Sequence, residues 1–194
     1  MSDKYKIIAL FGKAGAGKDF IQKEIMKTDF GKNNLHEIVS STTRPPREGE
    51  IEGVNYHFIP NTEKFFNKDN APYWVEFVAF RGWWYGTSKK HLSEDKINIG
   101  VFNIKGIDIM LLNKEIQCIP IFVDASDKTR LLRQLTRENN PDCLEICRRF
   151  IADHDDFVSI PFPYYAVEND EDEITSALNT IQKIIYENDL VKIN

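Results

Sequence analysis

Apolar residues along this chain follow two rhythms. Short runs rich in β-branched side chains read as buried strands, and stretches with apolar residues three or four apart read as helices. Residues 7–11 (IIALF) are a run of the first kind, closed by Gly12. From Asp19 onward Phe20, Ile21 and Ile25 recur at helical spacing, with Gln22, Lys23 and Glu24 between them. Residues 36–41 predict a second strand, 56–59 a short one and 75–80 an alternating one, with 81–82 a turn before WWYGT. Ser88 is placed to cap a short helix over 89–95. Residues 97–104 predict a buried strand, 105–113 a helix and 117–123 another strand. A helix opens at Ser126 and runs through Leu131, Leu132 and Leu135 until Pro141 interrupts. The next helix carries Cys143, Ile146, Cys147, Phe150, His154 and Phe157 on one face, which reads as buried. Residues 164–168 predict the last strand. A closing helix follows, with Ile174, Ala177, Leu178, Ile181 and Ile185 on one stripe and an acidic first turn, Glu171-Asp172-Glu173.

Strands alternating with helices predict an α/β fold: a parallel sheet with helices on both faces and ligands at the carboxyl ends of the strands. Residues 42–86 break the rhythm with prolines, glycines and short strands, so a small subdomain is expected there, inserted in the sheet. The chain has 194 residues and shows neither a repeat nor a linker, which predicts a single domain.

Composition narrows the picture. With 42% hydrophobic and 28% charged residues, the chain reads as a soluble globular protein. The net charge of −5 speaks against a nucleic-acid-coating surface, so any anion site must be local. The apolar run behind the polar start MSDKYK is too short for a signal peptide or a membrane span. A cytoplasmic protein is expected. Cys118, Cys143 and Cys147 read as core thiols rather than a disulfide or metal site, and the four histidines are scattered along the sequence.

The candidate chemistry begins at the first strand. Residues 7–20, IIALFGKAGAGKDF, place a glycine loop and Lys18 between a strand and a helix, the context of a P-loop. Glycines let consecutive backbone N–H groups turn around a phosphate chain, the helix N-terminus adds its dipole, and Lys18 reaches the outer phosphates. Asp19 stands where the motif has a Ser or Thr that meets Mg²⁺. Further on, Ser40-Ser41-Thr42-Thr43-Arg44-Pro45-Pro46-Arg47 sets two arginines three apart on a stiffened loop. Two guanidinium forks can hold a phosphate dianion, and Tyr56 and Tyr85 offer phenolic donors.

Ser40, Arg44, Arg47, Glu50, Gly53, Tyr56 and Phe58, followed by Glu76 and Tyr85-Gly86-Thr87, resemble the monophosphate-binding segment of guanylate kinases. With the P-loop before it, the resemblance covers most of the chain. It implies a P-loop NTPase core, an acceptor-binding subdomain over about residues 38–90 and a helical lid over about 126–158. It also implies transfer of the γ-phosphoryl group of ATP to GMP or dGMP with Mg²⁺, by a monomer or homodimer. Gly12, Lys13, Ala14, Gly15, Ala16, Gly17, Lys18, Asp19 and Asn169 would bind ATP. Arg44, Arg47, Tyr56 and Tyr85 would bind the acceptor phosphate, and Ser40, Glu76 and Thr87 would read the base. Arg133, Arg137 and Arg149 match the lid arginines that join Lys18 and Arg44 in catalysis, with Arg148 a near competitor for the last role.

Two departures stand out. The family's D-I-D reads Val101-Phe102-Asn103 here, and Asp19 takes the hydroxyl position, as in phage-type deoxynucleoside monophosphate kinases. Asp19 is accordingly the candidate Mg²⁺ residue. The rival readings are a phage-like deoxynucleoside monophosphate kinase of different or broader base specificity and a non-catalytic scaffold of the same fold that binds phosphorylated partners. The intact P-loop argues against the scaffold.

Overall fold

The computed structural model describes residues 4–47, 49–66, 73–80, 82–137, 139–170 and 174–191. Its centre is β1 (Tyr5–Phe11), an apolar strand buried on both faces, as parallel sheets require. β1 pairs in parallel with β7 (Ile97–Val101) on one side and β8 (Ile116–Asp124) on the other. With β2 (Leu35–Glu37) and β9 (Tyr165–Glu168) at the edges, the five strands run in the order β2-β7-β1-β8-β9.

The alternation along β1 sorts its side chains between two cores. Ile8 and Leu10 join a cluster under α1 (Lys18–Lys27) and α7 (Ile174–Glu187), with Ile21, Ile25, Ile181 and Ile185. Tyr5, Ile7, Ala9 and Phe11 face the other side. There α4 (Ile104–Leu111) brings Ile107 and Met110. Helices therefore cover both faces, and the β1–α1 loop emerges between the carboxyl ends of β7 and β8.

The inserted segment forms a separate mixed sheet, in the order β4-β3-β6-β5, from β3 (Ser41–Thr42), β4 (His57–Phe58), β5 (Trp74–Phe80) and β6 (Trp83–Ser88). Val75 of β5 enters the second core cluster and so seats this sheet on the α4 side of the domain. The single strand expected over 36–41 is two strands in two sheets. Ile38 still donates its N–H to Ile99, after which the chain crosses to the second sheet at Ser41. No glycine or proline stands between the two stretches, so nothing in the residue types marks the crossing. The strand expected over 97–104 stops at Val101, because Asn103 accepts the N–H of Gly106 and caps α4. The short helix after Ser88 is a single 3-10 turn, Lys89–His91, capped by that serine.

Two further short helices, α2 (Asp29–Asn34) and α3 (Thr62–Phe65), carry too few residues to show a period. α5 (Asp127–Thr136) is capped by Ser126 and is followed by α6 (Cys143–Asp156). Here one expectation fails: Cys143 and Cys147 are exposed, and so is His154. α6 has a cleft rather than a core beneath it, so its inner face is mixed, with Arg149, Phe150 and Asp153. Cys118, partly buried, does pack against the second core cluster, and desolvation there pushes its thiol up to about 12. Three of the sequence-scattered histidines meet at the seam between the sheets. The rings of His57 and His91 lie 4.1 Å apart, and His36 bonds the carbonyl of His91. Among the described residues no group of three or more His, Cys, Asp or Glu side chains is arranged to hold a metal, and no helix is long and apolar enough to cross a membrane. The acidic turn at Glu171-Asp172-Glu173 and Arg81 of the expected turn lie outside the described residues.

Gly12, where β1 gives way to the loop, has φ +149°, and a Cβ there would lie 2.3 Å from the Val123 carbonyl oxygen of β8. Gly12→Ala must strain this junction or push the strands apart. Chemical denaturation should show a loss of at least about 1–3 kcal/mol, whereas Lys13→Ala should stay within about 0.5 kcal/mol. Parent-like stability of Gly12→Ala would show that the strand ends yield freely.

Candidate active site

The loop from Gly12 to Lys18 wraps the end of β1 and opens α1, with Gly17 at the N-cap in a left-handed conformation. Lys18 folds back along it and donates to the carbonyls of Gly12 (2.8 Å) and Lys13 (3.0 Å). Burial lowers its pKa, so an anion within reach has a desolvated cation to meet. Arg133 of α5 points its guanidinium at the carbonyls of Gly15 and Ala16. Asn169, just past β9, is buried and donates its amide to Ala16 at 2.7 Å. Its side chain thus holds the loop. Its neighbour Asp170 accepts the Ser126 N–H and so joins β9 to the start of α5.

Across a cleft of about 540 Å³ stands the arginine loop. Arg44 is almost buried and forks onto Glu50 with bonds of 2.9 and 2.8 Å. Glu50 also accepts the Arg47 N–H, and these three contacts hold its carboxyl below its ordinary range against the opposing effect of burial. The Arg44 guanidinium lies over the Tyr56 ring at 5.4 Å. Tyr56 and Tyr85 meet edge to face, and burial pushes the Tyr56 phenol up to about 12, leaving it a donor at neutral pH. The Asp19 carboxylate also raises that pKa from the loop side, so the two halves of the cleft feel each other. Arg47, Arg137 and Arg149 line the same cleft. Arg148 does not. Both Arg148 and Arg149 are bonded to Glu145.

Ser40, Thr87 and Glu76 form a chain running inward from the cleft. Ser40 lines it, its hydroxyl is 3.2 Å from that of Thr87, and Thr87 pairs with Glu76 across β6 and β5. Glu76 is 5% exposed, and burial lifts its carboxyl to about 7 against the stabilising bonds from Thr87. It abuts the start of α4, where a Cβ on Gly106 would come within 2.9 Å of it. Val101 lines the cleft, whereas Asn103 is occupied in capping α4.

Sequence reasoning passed over two residues. Arg130 of α5 and Asp153 of α6 are both buried and both bond the backbone of Ala14. No motif marks them, because one reads as another basic helix residue and the other as an acid near a helix end.

The fold and the site together have the strand, glycine loop and helix of a P-loop protein, with a cluster of arginines and tyrosines facing the loop across the cleft. Residues 4–187 match the family model described as "Guanylate kinase". The guanylate kinase of Campylobacter jejuni (strain RM1221) is 28% identical over 169 residues, 85% of this chain and 81% of that protein. That of Prochlorococcus marinus (strain MIT 9312) is 31% identical, over 89% of this chain and 94% of that protein. The crystal structure of guanylate kinase from Anaplasma phagocytophilum superposes with a TM-score of 0.66 at 17% identity, covering 99% of this chain and 90% of that one, which speaks for the fold. The chain belongs to the guanylate kinase family.

The raised pKa of Glu76 has a consequence for stability. Between about pH 4.5 and 7 the folded chain keeps the Glu76 proton that the unfolded chain has released, so this residue makes stability fall as pH rises through that window. Glu76→Gln removes the penalty. Relative to the parent, the variant should gain stability from pH 4.5 to 8, by on the order of 3 kcal/mol from the shift at 1.36 kcal/mol per unit. Parallel stability curves for the two proteins would show that Glu76 is ionised in the ordinary range.

Proposed function

We propose that the protein transfers the γ-phosphoryl group of ATP to GMP or dGMP, giving ADP and GDP or dGDP. The observation that carries this reading is that one cleft opposes the phosphate-binding loop to the Arg44, Arg47, Tyr56 and Tyr85 cluster. The loop suits a nucleoside triphosphate tail, and the cluster suits the dianion of a monophosphate. Held in line, the acceptor phosphate oxygen attacks the γ-phosphorus directly, and the work is positioning and charge neutralisation without a covalent intermediate. Lys18 turns from the loop carbonyls to the donor phosphates. Arg44, aimed by Glu50, holds the acceptor, and Arg133, Arg137 and Arg149 absorb charge on the transferring group. Glu76, once ionised, accepts from guanine N1–H and the 2-amino group, a pair adenine does not offer, while Ser40 and Thr87 complete the base contacts.

Mg²⁺ suits this site because it is commonly held by one or two carboxylates plus substrate phosphates. Asp19, in the first turn of α1, is a carboxylate that lines the cleft beside the loop. Asp19 would hold the ion directly or through one of its waters, and the ion would neutralise developing charge. The neutral residues Val101 and Asn103 favour tolerance at the acceptor sugar as a second reading, in which deoxyribose and ribose monophosphates are both taken.

A coupled ADP-release assay across ribose and deoxyribose monophosphates tests the activity. GMP or dGMP should be strongly preferred over AMP, since a carboxylate site leaves acceptor atoms unpaired against adenine. The preference should strengthen with pH: KM for GMP should fall between pH 6 and 8 as Glu76 ionises near 7, and Glu76→Gln should weaken GMP and flatten that dependence. Equal rates with GMP and AMP would overturn the base assignment.

A titration of activity against Mg²⁺ tests Asp19. Asp19→Ala should raise the Mg²⁺ requirement, and Asp19→Ser should restore part of it. An unchanged Mg²⁺ dependence would reduce Asp19 to a helix-dipole partner.

A further inference from the structure

Ala14 sits in the middle of the phosphate-binding loop, and both polar groups of its backbone are held by side chains distant in sequence. Its carbonyl accepts from Nε of Arg130 on α5 at 3.0 Å, and its N–H donates to Oδ2 of Asp153 on α6. Neither partner is an incidental surface contact, since Arg130 is 1% exposed and Asp153 is 7% exposed. Arg130 is fixed on its other sides by Asp127 at 2.7 Å and by the Phe150 ring, 4.5 Å below its guanidinium. Its Nη2 is a buried donor without a hydrogen bond, 3.5 Å from the same Asp153 oxygen, so a small approach of α6 would complete a closed ring of contacts. The pair also acts on Lys18: Asp153 favours its charged form and Arg130 disfavours it.

A P-loop binds phosphate by the direction of its N–H groups, and one freely rotating peptide would turn neighbouring donors away from the ligand. Holding both ends of the Ala14 residue removes that freedom. We infer that Arg130 and Asp153 are positioning residues, a two-sided clamp through which α5 and α6 hold the phosphate-binding loop in its working shape. The same contact makes any movement of α6, and with it Arg149, a movement felt by the loop. The inference rests on the nucleotide-binding part of the reading above and not on the identity of the acceptor.

The readout is therefore ADP affinity by calorimetry, with KM for ATP and for GMP and the thermal midpoint measured alongside. Asp153→Ala should weaken ADP and raise KM for ATP by about tenfold or more, the scale of one hydrogen bond to a charged group, while KM for GMP changes little. Asp153→Asn keeps an oxygen for the Ala14 N–H and should recover most of the loss. Unchanged ADP affinity in Asp153→Ala would overturn the clamp. A lower KM for ATP would also overturn it, since Asp153 would then be competing with phosphate. Equal losses for ADP and GMP together with a fallen midpoint would make the role merely structural and overturn it too. A parent that binds ADP but does not phosphorylate GMP would fail the proposed activity. The clamp would still stand or fall on the Asp153 variants.

Discussion

The molecule depends on the double burial of one strand. β1 is paired on both edges and packed on both faces, so all of its seven residues except Lys6 are buried, and the chain can leave it only at its ends. At the carboxyl end, the tight passage between β7 and β8 at Gly12 forces the turn that becomes the phosphate-binding loop. A loop that leaves a rigid sheet and enters a helix directly has little freedom in its last residues. Its middle is restrained by side chains, Asn169 at Ala16 and the Arg130 and Asp153 pair at Ala14.

The acceptor half is built by different means. Its strands are short and its sheet small, and an isolated sheet of this kind would be marginal. It is seated on the core through Val75 against the α4 side and filled by a cluster of rings around Phe65, Trp74 and Trp84. Trp84 therefore has a structural role, packing against Phe65, Phe66 and Phe77, whereas its neighbour Trp83 is exposed. The Arg44 guanidinium is aimed by Glu50 and floored by Tyr56 and Phe58, so its geometry is set before any anion arrives. Preorganisation of this kind is where a phosphate site gains selectivity for a planar fork over a point charge.

Electrostatics join the halves. Lys18 is half-buried and its charged form is disfavoured, Glu76 is buried and ionises late, and Tyr56 stays protonated. Desolvation disfavours the charged form of each of these groups, and a ligand of the right sign or donor pattern would favour it again at Lys18 and Glu76. Perturbed groups converging on one cleft are the physical mark of a functional site.

The amino-acid sequence by itself determined the elements with strong local signals. The apolar run and glycines of residues 7–20 specify strand, loop and helix, because backbone conformation there follows from residue type alone. The caps at Ser88 and Ser126 and the apolar stripe of α7 were legible for the same reason. The ordered motif from Ser40 to Thr87 marked the second half of the cleft. What only tertiary structure decided were properties that depend on neighbours distant along the chain. Burial of the α6 face is one: Cys143 and Cys147 keep helical spacing yet face solvent, because a cleft and not a core lies beneath that helix. The crossing between sheets near Ile38 is another, since the strand partners that separate Leu35–Glu37 from Ser41–Thr42 lie far along the chain. The late ionisation of Glu76 arises from desolvation by surrounding strands, which no local pattern encodes. Arg130 and Asp153 are the clearest case. They are separated from Ala14 by more than a hundred residues, and only the docking of α5 and α6 on the loop gives them a common task.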